Sequence, residues 1–242
     1  MRLHQLTVTP SRPMTSNRGI GYLIAAVLLA GFSARANAQY AGVTTYLGSY
    51  SSTAPAKPMD LEELVTDMKK GGYVIVLRHG ATNADQADTD PFHLDNIGAQ
   101  RVLSDKGRDV AKRVGDSFRA LGIPLGKVYS SKFNRATETA QLVSGKAPTT
   151  TPDLTEGGLV VSPNENARRA KALNALAIVV PDAGSNTLIV THKPNILDAF
   201  GEDWFASKEG EASVFRPDGS NNLVLVARVQ AADWIRAVGG LR

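Results

Sequence analysis

Two of the chain's four histidines stand at the ends of apolar runs, His79 after VIVLR and His192 after NTLIVT. Arg78 precedes the first and Gly80 follows it. A strand end is rigid, and a glycine beside it lets a ligand come close to backbone. A third cationic residue, Arg135, falls in SSKFNRATETA (130–140), at the start of an expected helix. Helix N-termini attract anions, and the arginine fork fits phosphate oxygens. Each residue alone has a plainer reading: a loop histidine bonded to backbone, a helix arginine in solvent. Together, two histidines, two arginines and a helix start describe a cationic pocket for a dianion such as a phosphate ester. A metal is not expected. Arg78 and Arg135 would repel it, and Asp85, Asp88, Asp90 and Asp95 have no tidy ligand spacing. The absence of cysteine excludes disulfides, thiolate metal sites and cysteine nucleophiles.

The elements that must position these residues alternate in type. MDLEELVTDMKKG (59–71) reads as a helix with Asp60 near its cap and Gly71 as its stop. YVIVLR (73–78) is an uninterrupted apolar strand, the kind buried on both faces. Residues 81–102 are polar and irregular. A helix runs from the Ser104 cap to Gly122, a strand covers KVYSS (127–131), and a helix from Asn134 stops at Gly145. Ser162-Pro163 caps a long helix through Ile178. NTLIVTH (186–192) is a second buried strand. ASVFRP and NLVLVARV pair across the turn PDGSNN, and AADWIRAV closes as a helix. This alternation predicts an α/β fold, a three-layer αβα sandwich with a mostly parallel central sheet and helices on both faces. In such folds ligands sit at the carboxyl ends of strands, where all three chemistry-bearing segments fall.

The 242-residue chain is 43% hydrophobic and 21% charged, ordinary for a globular protein. Its start is not ordinary. Arg2, Arg12 and Arg18 precede GIGYLIAAVLLAGF, and Ala36-Asn37-Ala38 follows it. That is the grammar of a signal peptide over 1–38, cleaved before Gln39, for a periplasmic or secreted protein. The apolar run is shorter than the ~20 residues a spanning helix needs, so no stable membrane insertion is expected after cleavage. Residues 39–58 read as a flexible linker and 59–242 as the folded domain. The formal charge of +4 belongs to the leader: residues 1–38 hold four arginines and no acid, leaving 23 basic and 23 acidic residues beyond them. No nucleic-acid partner is implied.

The ordered segments LRHGAT, VYSSKFNRATETA and IVTHKPNI resemble the motifs of the histidine phosphatase superfamily, with its phosphoglycerate mutase-like fold. The resemblance implies a metal-independent phosphomonoesterase needing no cofactor. His79 would be the nucleophile, carrying the phosphoryl group as phosphohistidine. Arg78, Arg135 and His192 would hold phosphoryl oxygens, with Gly80, Thr82 and Lys193 lining the substrate site. Neighbouring cations would keep His79 neutral. The family's general acid maps onto Glu156 in DLTEGG, with Glu211 in EGEASVF as the alternative and Asp85 or Asp95 behind them. Asp85 also stands where many relatives carry asparagine. His93 is expected in a surface loop. The substrate would be a small phosphate ester or a phosphorylated envelope component. A phosphomutase, or a non-catalytic protein binding phosphate or glycan phosphate, are the other readings.

Overall fold

A computed structural model describes residues 59–157 and 160–240. The leader and linker expected over 1–58 lie outside the described residues. Among the described residues, six α-helices are set around a six-stranded sheet. In chain order these are α1 (Leu61–Met68), β1 (Val74–Arg78), α2 (Asp105–Ala120), β2 (Leu125–Ser131), α3 (Asn134–Ser144), β3 (Thr149–Thr151), α4 (Pro163–Ala177), β4 (Asn186–Thr191), α5 (Lys193–Phe200), β5 (Ala212–Pro217), β6 (Leu223–Val229) and α6 (Ala231–Gly240).

The sheet order is β3-β2-β4-β1-β5-β6. The β1–β4, β2–β4 and β2–β3 pairings are parallel; β1–β5 and β5–β6 are antiparallel. The sheet is therefore mostly parallel, with an antiparallel hairpin at one edge. Successive β1 side chains point to opposite faces and both faces are covered, which is why the strand reads as a continuous apolar run. Ile75 and Leu77 join a core built with α1, α2, α3 and α6, around Leu64, Phe118, Ala140 and Trp234. Val74 and Val76 join a second core under α4 and α5, around Leu173, Ile196, Phe200 and Trp204.

Helix starts follow their sequence signals. The Ser104 hydroxyl accepts from Gly107 N at 3.1 Å, and the Ser162 hydroxyl accepts from Glu165 N at 3.2 Å ahead of Pro163. Gly145 ends α3 with φ 71°, a conformation that favours glycine. Three things differ from the sequence reading. The β2 strand starts at Leu125, two residues early. The edge strand β3 and the eight-residue helix α5 have no strong pattern of their own; each is too short to show a period. His192 is not the last residue of β4 but the residue capping α5.

Parallel pairing brings the carboxyl ends of β1, β2 and β4 to one edge of the sheet. Arg78 is level with Thr191, and Ser130 with Val190. The residues that follow these strands meet there. Among the described residues, no helix is long and apolar enough to cross a membrane.

Candidate active site

His79 follows β1 directly and is 2% exposed. Its backbone N–H donates to Thr191 O at 3.0 Å, tying it to β4. Its Nδ1 lies 2.8 Å from Gly80 O. A carbonyl can only accept, so Nδ1 carries the proton and Nε2 keeps its lone pair. The histidine is thus held in the tautomer that a nucleophile needs. Its pKa lies well below the usual value, first because burial disfavours the cation, then through the charges of His192 and Arg135; the Gly80 carbonyl opposes this. Burial, rather than the neighbouring cations alone, keeps the ring neutral.

Packing gives Gly80 a further reason to be small. A Cβ there would sit 3.2 Å from Gly107 O and 3.4 Å from Leu103 Cδ2. Its N–H donates to Thr139 Oγ1 on α3 at 3.0 Å. From the other side, a Cβ on Gly107 would come within 2.0 Å of Ala81 O. The loop after β1 is clamped between α2 and α3, and glycine on both surfaces makes the approach possible.

Arg135, in the first turn of α3, is fully buried. Its Nη1 donates to Asp88 Oδ1 at 2.9 Å and to Arg101 O at 3.2 Å, and its Nη2 pairs with Glu156. Its guanidinium carbon lies 4.2 Å from the centre of the Phe133 ring. Arg78 donates from Nη1 to Ser207 O at 2.7 Å and stands 3.7 Å from Glu209 Oε1. The Nε atoms of both arginines are buried without a hydrogen-bond partner among the described residues. Two cationic donors are thus unspent in a place where an unmatched donor is costly.

His192 is fully buried, its ring centre 5.1 Å from that of His79. Phe133 meets it edge-on at 5.5 Å. Its Nε2 lies 2.7 Å from Ser131 Oγ, and its Nδ1 lies 3.7 Å from Glu156 Oε1. A lone pair facing that carboxylate would be repelled, whereas an N–H is attracted. Ser131 Oγ itself donates to Thr155 Oγ1 at 3.2 Å and accepts from Phe133 N, and His192 Nδ1 is buried without a hydrogen-bond partner among the described residues. Burial holds the His192 pKa well below the usual value, followed by the charges of Arg135, Arg101 and Arg78.

His79, His192, Arg135 and Glu156 are brought together, with Arg78 beside His79 at the same strand end. Glu211 is not part of the group. It is buried, and its carboxylate is bonded to Arg228 Nε at 2.7 Å, to Gln230 and to Lys208 N. Its service to the site is through backbone: Glu211 O accepts from Arg78 N at 3.0 Å. Thr82 donates to Glu209 Oε1 at 3.2 Å rather than standing free. The Lys193 ammonium lies 4.6 Å over the exposed Phe205 ring. Asp85 and Asp95 are exposed, and it is Asp88 that reaches Arg135. His93 is on the surface, paired with Asp90 at 2.7 Å. Among the described residues, no three histidine or carboxylate side chains converge as a metal-binding group.

Asp88, Ser131, Glu209 and the positive charge of Arg101 escape sequence reading. Asp88 is one of several aspartates in an irregular stretch, and nothing local distinguishes it. Ser131 carried a usable signal, since it stands four residues before Arg135 and is the last residue of β2.

Residues 74–161 match the family model "Histidine phosphatase superfamily (branch 1)". Two curated relatives are each named "Serine/threonine-protein phosphatase Pgam5, mitochondrial". The one from Drosophila grimshawi is 39% identical over 75 residues, 31% of this chain and 23% of the relative. The one from Drosophila virilis is 38% identical over 84 residues, 35% and 25% of the two chains. The matches thus span about a quarter of those proteins. Among solved structures, the protein histidine phosphatase SixA complexed with tungstate aligns with a TM-score of 0.48 at 21% identity, over 66% of this chain and 97% of that one. Bacillus stearothermophilus YhfR aligns with a TM-score of 0.47 at 17% identity, over 64% and 95%.

Proposed function

We propose, from the match of residues 74–161 to the histidine phosphatase superfamily model, that the chain is a histidine phosphatase that hydrolyses phosphate monoesters through a phosphohistidine on His79. The observation that carries the reading is the 2.8 Å contact of His79 Nδ1 with Gly80 O, which leaves the Nε2 lone pair as the nucleophile. Nε2 attacks phosphorus, and the bond from phosphorus to the ester oxygen breaks. Water then attacks the phosphohistidine, releasing inorganic phosphate and restoring neutral His79.

Charge on the transferring group is spread over its oxygens, so fixed donors supply most of the catalysis. Those donors are the unspent Nε atoms of Arg78 and Arg135, joined by His192 through its unpartnered Nδ1 when that atom carries the proton. In the free protein Glu156 sits on Arg135. Phosphoryl oxygens compete for the same guanidinium, and their arrival releases Glu156 to face the ester oxygen. There, once it has taken a proton from solvent, it protonates the departing alcohol and, in the second half, takes a proton from the attacking water, which restores its protonated form. The leader-like residues 1–38 support action on a phosphate ester of the cell envelope. Mass spectrometry of the exported protein tests that placement: a mature chain beginning at Gln39 is expected, and an intact residue 1 would overturn it.

The central test is trapping. Mature protein turning over p-nitrophenyl phosphate is denatured in alkali, and phosphate is mapped by peptide mass spectrometry. Acid-labile phosphate on the peptide holding His79 is expected, and none with His79→Ala. Undiminished turnover by His79→Ala would end the proposal.

A further inference from the structure

A cavity of about 290 Å³ opens beside Glu156 and Phe133. Its apolar lining comes from Pro91, Phe92, Leu94, Phe133, Val160 and Val161. Phe92 is 76% exposed and Val160 44%, an unusual exposure for large apolar groups lining one hollow. The polar groups of the lining are drawn into the protein's own bonds. Asp88 accepts from Arg101 N and Arg135. The Thr155 hydroxyl lies 3.2 Å from Ser131 Oγ and accepts from Lys132 N at 3.1 Å. Glu156 is on Arg135. Arg169 donates to Thr155 O at 2.8 Å and to Glu165 at 2.8 Å. Sugar hydroxyls entering this hollow would leave water and meet few unspent partners, which is costly. An aromatic or branched aliphatic group would meet carbon on several sides.

Resting on the phosphatase reading above, we propose that this cavity is the leaving-group pocket, and that the substrate is a phosphate monoester of an apolar alcohol, with an aromatic or bulky aliphatic group close to the ester oxygen. Phosphate at His79 and alcohol in the cavity place the ester oxygen between them, next to Glu156, which lines the hollow. Phe92 is the specificity-determining residue, being apolar, exposed and engaged in no other packing core.

Two measurements on the mature chain test this. The first compares kcat/KM for 2-naphthylmethyl phosphate and glucose 6-phosphate; both release a primary alcohol, so the ratio reads the pocket more than leaving-group acidity. A preference of about tenfold or more for the naphthylmethyl ester is expected, as a few methylenes of apolar contact supply. Phe92→Ala, at an exposed position where folding is not at stake, lowers that value severalfold and reduces the preference for the naphthylmethyl ester over glucose 6-phosphate. The second titrates His79→Ala protein with naphthylmethylphosphonate and methylphosphonate, and tighter binding of the former, lost in the Phe92→Ala double variant, is expected. Equal affinities, or a glucose 6-phosphate preference, overturn the pocket. Absence of turnover with intact naphthyl selectivity in binding overturns the phosphatase reading and leaves the pocket standing.

Discussion

Ser131 Oγ and His192 Nε2 are 2.7 Å apart, both fully buried, at the ends of adjacent parallel strands. Ser131 also accepts from Phe133 N at 3.0 Å, so one hydroxyl joins the start of α3 to the second histidine. A ring held at Nε2 presents Nδ1 to the pocket in one orientation. Ser131→Ala removes that hold without touching the phosphate. Steady-state kinetics are expected to show kcat down about tenfold, the cost of an unmet buried polar group, with KM moved much less. An unchanged kcat would mean that packing against Phe133 suffices to orient His192.

Both site histidines are neutral in the folded protein, with pKa values well below the usual one. Their unfolded counterparts titrate near the ordinary histidine value of about 6.5. Below that pH the unfolded chain binds protons that the folded chain refuses, so stability falls as pH drops. The slope is at most about 1.4 kcal/mol per pH unit for each histidine. Melting temperatures measured from pH 7.5 to 5 should decline, and the decline should be shallower in His192→Gln. Activity behaves differently. Since His79 stays neutral through pH 6.5, the acid limb of kcat/KM for the free enzyme due to this residue should lie well below 6.5. A limb centred on 6.5 that moves in His79 variants would contradict the burial argument.

Glu156 and Glu211 separate cleanly by experiment. Glu156→Gln keeps the shape but cannot supply a proton. Its loss should be about 10²-fold or more on alkyl esters and small on p-nitrophenyl phosphate, whose alcohol leaves unaided. Glu211→Gln instead unbalances the buried pair with Arg228. Chemical denaturation should show a loss of about 3 kcal/mol, while the ratio of rates on the two ester types stays as in the parent protein. A uniform loss in Glu156→Gln would remove it as the acid.

The segments holding His79 and His192 were legible because each follows a buried strand with a continuous run, whereas the Arg135 segment follows β2, which is partly exposed and has no such run. That continuity reports two covered faces, seen in Val74 and Val76 against one core and Ile75 and Leu77 against the other. Parallel pairing then follows, and with it the convergence of His79, Arg135 and His192. What stayed hidden depends on tertiary pairing without a local pattern. Asp88 rather than Asp85 reaches Arg135 because the irregular 81–102 stretch is shaped by side-chain bonds, such as Asp88 to Arg101 N and Gln86 to Val102 N. Glu211 looked available because its neighbours are polar. Its partners, Arg228 and Gln230, lie on and just after β6, a strand away in space and about 20 residues away in sequence.

Gly107 contributes no chemical group, yet a single added methyl there would collide with the backbone of the residue after the nucleophile loop's glycine, 2.0 Å from Ala81 O. The position is therefore closed to ordinary mutational drift in a way that exposed neighbours on α2 are not. Protein engineers who randomise α2 to alter stability should hold position 107 constant, since variation there would be selected against through turnover even where the helix itself improves.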